Sequence, residues 1–166
     1  MTREEKTTEL IRHRDIILAA IDYIVAAIDW DEIAEHREII NEHYARQKRQ
    51  TEKYLRDRRL DRLQQKLENL IKGPQGRGDF DFEKYIKQKT GYELDIFEKI
   101  RKRTDNILEI GHVRDAKDLH DVAILFIAYG KNPEYQNKLD KLKVLLIAYG
   151  ERKQKKPQKP GRTNNT

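Results

Sequence analysis

Residues 32–72 read EIAEHREIINEHYARQKRQTEKYLRDRRLDRLQQKLENLIK, and this stretch decides the fold class. It contains neither Gly nor Pro, the residues that most often end a helix, and it is rich in the helix formers Ala, Arg, Gln, Lys, Glu and Leu. No segment of the chain shows the sustained alternation of apolar and polar residues that is typical of strands. The sequence therefore predicts an all-α protein.

The length of this stretch limits how it can fold. As one unbroken helix it would extend about 60 Å, at 1.5 Å per residue. A compact chain of 166 residues has a radius of gyration of only about 15 Å. The helix must therefore protrude, break or pair with another chain. Its second half carries leucines at steps of three and four, a spacing that resembles a coiled-coil seam: Leu60, Leu63, Leu67 and Leu70.

The flanking segments complete a four-part organisation. Upstream, an apolar run over residues 16–28 predicts a buried helix that begins near Thr7 or Thr8. Downstream, residues 73–81 combine Gly and Pro and predict a loop. We expect a long N-terminal helical arm over 1–72, either coiled-coil or bundle-forming, and then the loop over 73–81. A compact C-terminal bundle of about four short helices would cover 82–150, and a disordered basic tail 151–166.

Five glycines recur at intervals of 18 to 20 residues: Gly73, Gly91, Gly111, Gly130 and Gly150. Each follows a stretch with helical periodicity, so each predicts a helix end, where a left-handed residue is favoured. The last two stretches are similar to each other, DLHDVAILFIAYG at 118–130 and KLDKLKVLLIAYG at 138–150. Duplication and convergent packing of two helices are both open interpretations of this similarity.

Charge is distributed unevenly around the net value of +6. Residues 1–45 hold eleven acidic and five basic residues, whereas residues 46–72 hold ten basic and four acidic ones. Residues 73–140 are nearly balanced, and residues 141–166 hold eight basic residues and one acidic residue. Such asymmetry indicates a polyanionic partner, or contact between acidic and basic parts within a homo- or hetero-oligomer.

Several classes of site are disfavoured by composition. The chain has no cysteine, which excludes disulfides, zinc–thiolate sites and thiol catalysis. We also expect no metal site and no cofactor. The sequence shows no secretion signal, and its longest apolar run is shorter than the roughly 20 residues of a membrane span. We therefore expect a cytoplasmic protein without membrane contact.

The basic stretch is the leading functional candidate. Among its cations, Arg46, Arg49, Lys53 and Arg56 are spaced three, four and three, so they share one helical face. A row of cations on one face suits a phosphate backbone, and arginine favours bidentate phosphate contacts. We expect a non-enzymatic subunit of a larger assembly that binds RNA or DNA without sequence specificity. The predicted contact residues are Arg46, Lys48, Arg49, Lys53, Arg56, Arg58, Arg59, Arg62, Lys153, Lys155 and Lys156.

A different class of function fits the same features. The charged arm can instead contact an acidic protein surface, or assemble with copies of itself as a homo-oligomeric structural module. The sequence does not choose between nucleic acid and a protein partner.

A third alternative is enzymatic. Arg114 is followed directly by Asp115, and His120 comes five residues later. This pattern resembles the active-site motif of HEPN-type ribonucleases, in which Arg precedes His by four to six residues and Asn, Asp or His often follows the Arg. The resemblance covers seven residues. It implies that Arg114 binds phosphate, that His120 assists proton transfer and that Asp115 orients them.

Overall fold

The computed structural model describes residues 2–154, and it confirms the all-α class. Within this part there are seven α-helices and no strand. The helices are α1 Arg3–Ala26, α2 Arg37–Arg56, α3 Leu60–Gly76, α4 Phe80–Thr90, α5 Glu98–Ile110, α6 Ala116–Tyr129 and α7 Gln136–Gln154. Across residues 2–154, every helix is too short or too polar to cross a bilayer.

The chain divides into two compact units, Met1–Ile96 and Phe97–Thr166. The first unit holds α1 to α4, and the second holds α5 to α7. The division therefore lies downstream of the Gly- and Pro-rich segment at 73–81, which the sequence favoured as the boundary. That segment is largely helical, because α3 continues through Gly76 and α4 begins at Phe80.

Helix α1 begins earlier than the sequence pattern suggested. Thr2 is its N-cap: the Thr2 hydroxyl accepts from the Glu5 amide at 3.1 Å, and the Glu5 carboxylate accepts from the Thr2 amide at 2.7 Å. This reciprocal capping box satisfies two amides that would otherwise lack partners. A start near Thr7 or Thr8 was wrong because those hydroxyls instead donate to the Arg3 and Glu4 carbonyls inside the helix.

The long Gly-free stretch breaks at residues 57–59. Arg58 adopts a left-handed conformation with φ of 53°. Its amide donates to the Leu55 carbonyl at 3.0 Å, and the Arg59 amide donates to the Tyr54 carbonyl at 2.9 Å. A helix end of this kind normally uses glycine, since other residues are strained there. The break was invisible in the sequence because an arginine occupies that position.

Three of the four leucines of the α3 seam are buried inside the first unit, and Leu70 is half-buried. Leu60, Leu63 and Leu67 are all buried, and α3 packs against α1. Helix α1 supplies Ile17 and Ile21, both fully buried, and it also contacts α2 and α4. The seam that resembled a coiled coil therefore serves an intramolecular core.

Glycine ends only some of the helices. Gly91 and Gly111 take left-handed conformations after α4 and α5, with φ of 74° and 78°, as expected. Gly130 caps α6 in a right-handed conformation, whereas Gly73 and Gly150 lie inside α3 and α7. Because α7 runs through Gly150 to Gln154, residues 151–154 are helical and do not belong to a disordered tail. Residues 155–166 lie outside the described part.

The second unit is built on the similar helices α6 and α7. Val122 and Leu125 of α6 are buried, and so are Leu142 and Leu145, which hold the matching positions in α7. The two helices pack against each other, and α6 also packs against α5. The shared apolar pattern is therefore the pattern of two neighbouring core helices.

Candidate nucleic-acid interface

Helix α2 packs one face against α1 and α3, the neighbouring helices of the first unit, and its opposite face is exposed to solvent. Among the described residues of α2, Thr51 is the buried one. At 3.6 residues per turn, the row spaced three, four and three lies about 180° around the helix from Thr51. All four of its members are exposed. We call this set the cation row: Arg46, Arg49, Lys53 and Arg56.

Most of the cation row has no intramolecular partner. Within residues 2–154, the side chains of Arg46, Lys53 and Arg56 make no hydrogen bond and no ion pair. Arg49 pairs with the Glu42 carboxylate at 2.6 Å, and both side chains are well exposed. Exposed pairs of this kind contribute about 0–1 kcal/mol, so Arg49 can exchange Glu42 for a phosphate at little cost.

The other predicted cations of this region all have intramolecular partners, as Arg62 has in Asp61. Lys48 contacts the Asp22 carboxylate of α1 at 2.5 Å and so bridges α1 and α2. Arg58 donates to the Thr7 hydroxyl at 3.1 Å. Arg59 holds both carboxylate oxygens of Asp61, at 3.1 and 2.9 Å, and this hydrogen bonding lowers the pKa of Asp61 to about 2.

The predicted tail residues divide between described and undescribed parts. Lys153 lies in α7, with its ammonium 5.7 Å from the centre of the Tyr149 ring. It therefore belongs to the second unit and not to a separate tail. Lys155 and Lys156 lie outside the described residues.

Two residues of the ribonuclease-like motif, Arg114 and Asp115, make structural contacts at the start of α6. Arg114 donates to both carboxylate oxygens of Asp118, at 2.7 and 3.0 Å, and this contact lowers the pKa of Asp118. Asp115 is the N-cap of α6 and accepts from the amides of Lys117 and Asp118, each at 2.9 Å. His120 is exposed on α6. Arg114 and Asp115 thus already have structural roles, and the catalytic assignment stays a hypothesis.

Sequence reasoning missed a cleft between α2 and α3. Its volume is about 410 Å³, and no carboxylate is among the described residues that line it. Cations, aromatic rings and amides dominate the lining: Ile24, His43, Tyr44, Gln47, Gln50, Tyr54, Arg62, Gln65, Lys66, Asn69 and Leu70. The available signal was the polar character of α2 positions, such as Gln47, that face a neighbouring helix.

Lys66 is the unusual group in this cleft. The residue is only 9% exposed, and its ammonium donates to the Gln47 carbonyl at 2.7 Å and to the Gln50 side-chain oxygen at 3.3 Å. Both acceptors are neutral, whereas buried charges in proteins are usually paired with an opposite charge. Burial lowers the pKa of Lys66 to about 8.

Replacing Lys66 with Met is expected to stabilise the first unit at pH 7 by about 1–2 kcal/mol. The lowered pKa corresponds to a cost of up to about 3 kcal/mol for burying the charged amine, and the variant avoids this cost. Loss of the two hydrogen bonds of Lys66 offsets part of the stabilisation. The unfolded chain keeps this proton to about pH 10.5, whereas the folded chain releases it near pH 8. The advantage of the variant should therefore shrink between pH 8 and 10.5.

Urea unfolding followed by the fluorescence of Trp30, the single tryptophan, measures this effect in the first unit. Lys84→Met is the matched control, because Lys84 is exposed on α4 and its ion pair with Asp81 is also exposed. We expect the control to change stability by less than about 0.5 kcal/mol. A destabilised Lys66→Met at pH 7 would contradict the cost assigned to the buried charge.

Comparisons of the chain with protein-family models, curated proteins and solved structures found no match. Among residues 2–154, no three His, Asp or Glu side chains are grouped in a way that could hold a metal ion. The described features that bear on function are therefore the cation row and the cleft.

Proposed function

We propose that this protein binds nucleic acid without sequence specificity, through phosphate contacts of the cation row. The observation that carries the proposal is the state of Arg46, Lys53 and Arg56. They are exposed on one face of α2, and they make no hydrogen bond or ion pair with the described residues. Cations without internal partners can neutralise phosphates without breaking contacts that hold the fold.

The geometry of the row supports a backbone contact. Its members follow one side of α2 over about three turns, or about 15 Å, from Arg46 to Arg56. Duplex DNA carries one charge per about 1.7 Å of axis, so several phosphates lie within the reach of such a row. Three of the four members are arginines, which can bind phosphate oxygens in a bidentate manner.

The proposal predicts a strong dependence on salt. Four phosphate contacts give a slope of about −3.6 for log K against log salt on duplex DNA, so affinity should fall about 100-fold from 50 to 200 mM salt. Replacing Arg46, Lys53 and Arg56 together by Glu should lower affinity at least about 100-fold at low salt and flatten this slope. Fluorescence anisotropy with labelled DNA and RNA oligonucleotides measures both quantities.

A charge-matched control separates the row from net charge. Lys117, Lys141 and Lys143 of the second unit are exposed, and none forms a side-chain ion pair with another described residue. Their joint replacement by Glu changes the net charge of the chain equally, and we expect it to lower affinity less than about tenfold. Equal losses in the two triple variants would contradict a defined interface. An absence of binding at low salt to any DNA or RNA would refute the proposed function.

A further inference from the structure

The α2–α3 cleft combines features that the cation row does not explain. Each helix lines it with residues at helical spacing, so one continuous face of α2 meets one continuous face of α3. Most neighbouring helices close on apolar side chains at such a crossing. Here amides take those places, and a cavity of about 410 Å³ remains. Ligand pockets in proteins have volumes of about 300–1,000 Å³.

The described lining of the cleft holds the cations Lys66 and Arg62 and no acidic residue. The Lys66 ammonium has only neutral oxygens as hydrogen-bond acceptors, and no acidic residue is part of the described lining. Arg62 lies one turn before Lys66 on the same face of α3. Its nearest acid is Asp61, at 3.7 Å, and Arg59 already holds both oxygens of that carboxylate. Arg62 and Lys66 therefore both bring positive charge to a cleft whose described lining includes no carboxylate.

The presence of a lysine at position 66 has no explanation in stability. Its buried charge costs the fold free energy, and an apolar residue of similar length is expected to be more stable. Residues that lower stability in this way are characteristic of functional sites, where the same feature serves a ligand. An anion that enters the cleft would supply the missing opposite charge.

The walls of the cleft suit a heteroaromatic ring. Tyr44, Tyr54 and His43 supply aromatic surfaces, and the His43 and Tyr44 rings are edge-to-face at 5.1 Å. Four side-chain amides also line the cleft: Gln47, Gln50, Gln65 and Asn69. A carboxamide offers a donor and an acceptor side by side, which matches the hydrogen-bonding edge of a nucleobase. Bases that are not paired stack readily on tyrosine.

We propose that this cleft binds one nucleotide, with its phosphate on Arg62 and Lys66 and its base among the tyrosines and amides. The nucleotide can come from a single strand of nucleic acid or from a free nucleoside monophosphate. For the first source, the inference rests on the function proposed above and specifies a preference for single strands over duplexes. A base inside a duplex is paired and stacked, so it cannot enter the cleft.

The test uses the full chain with three kinds of probe. Adenosine monophosphate and inorganic phosphate are titrated by NMR, and a labelled oligoadenylate single strand is compared with a blunt duplex by anisotropy at equal salt. We expect the monophosphate to shift amide signals of α2 and α3 around the cleft, and to bind at least about tenfold more tightly than phosphate. We expect the single strand to bind about tenfold more tightly than the duplex.

Variants of the cleft have matched controls. Lys66→Met should weaken binding of the monophosphate and of the single strand about tenfold, although the variant is the more stable protein, so unfolding cannot cause the loss. Gln65→Leu should weaken binding of the monophosphate but not binding of inorganic phosphate. Gln64 is an exposed neighbour that does not line the cleft, so Gln64→Leu should change neither affinity. The triple variant of the cation row should weaken binding of the single strand and of the duplex to a similar extent.

The outcomes separate the two proposals. Equal affinity for single strand and duplex, unchanged by Lys66→Met, together with no cleft shifts from the monophosphate, would overturn the cleft as a site and leave the proposed function standing. Binding of the monophosphate without binding of any oligonucleotide would refute the proposed function and support the cleft with a free nucleotide. Phosphate that binds as tightly as the monophosphate, or no binding of either, would overturn the inference.

Discussion

Replacing Arg103 with Met is expected to lower the stability of the second unit by about 3–4 kcal/mol. Arg103 of α5 donates to both oxygens of the Asp121 carboxylate of α6, at 2.5 and 2.8 Å. The Asp121 side chain is only 4% exposed, whereas that of Arg103 is 43% exposed. Removing the arginine leaves a buried carboxylate without its cation, and such losses cost about 3–5 kcal/mol.

Removing the other partner of this ion pair, Asp121, should lower stability by less. The difference between the two losses of stability is the sharper test. Asp121→Ala leaves a guanidinium that already reaches water, so we expect a loss of about 1–2 kcal/mol. Hydrogen exchange of the α5 and α6 amides reports the stability of this unit, which contains no tryptophan. The double variant Arg103→Met with Asp121→Leu should recover most of the loss, since it buries no charge. Equal effects of the two single variants would argue against this account.

Replacing Asp79 with Ala is expected to lower the stability of the first unit by about 3 kcal/mol. The Asp79 carboxylate is the N-cap of α4 and accepts from the Phe82 amide at 3.2 Å. It also accepts from the Tyr23 hydroxyl of α1, 3.0 Å from each oxygen. Loss of an N-cap costs about 1 kcal/mol, and a half-buried hydroxyl that loses a charged acceptor costs roughly a further 1–3 kcal/mol, about 3 in total.

Two variants divide this effect between its causes. Asp79→Asn keeps a capping side chain and should cost about 1 kcal/mol, and Tyr23→Phe removes only the hydroxyl. Burial, together with Asp79, raises the pKa of Tyr23 to about 12. The folded chain therefore holds this proton more tightly than the unfolded chain, and the contribution is full below pH 10 and lost as pH rises towards 12.

Urea unfolding followed by Trp30 fluorescence between pH 8 and 12 measures these contributions. The wild-type chain should lose more stability than Tyr23→Phe between pH 10 and 12. The double variant should show a coupling of about 1–2 kcal/mol between Tyr23 and Asp79 at pH 8. Strictly additive effects would show that the hydrogen bond contributes nothing.

The candidate site was predictable only in part. The spacing of Arg46, Arg49, Lys53 and Arg56 placed them on one face, because a helix fixes which positions are neighbours on its surface. Lys48, Arg58 and Arg59 belonged to the same charged stretch, but the fold binds each to a group distant in sequence or at a turn. Which cations stay unpaired depends on the side chains that the fold brings next to them, and the local sequence does not show which these are.

The sequence by itself determined the all-α class, because helix propensity and apolar spacing act over neighbouring residues. It also determined the basic face of α2. Only the tertiary structure decided where the helices end without glycine, as at Arg58, and which helices share a core. It alone formed the cleft around Lys66, since α2 and α3 bring together residues 16 to 19 positions apart, as in the bonds from Lys66 to Gln50 and Gln47. That lysine is buried only because α2 packs against α3, and it would be exposed on α3 alone.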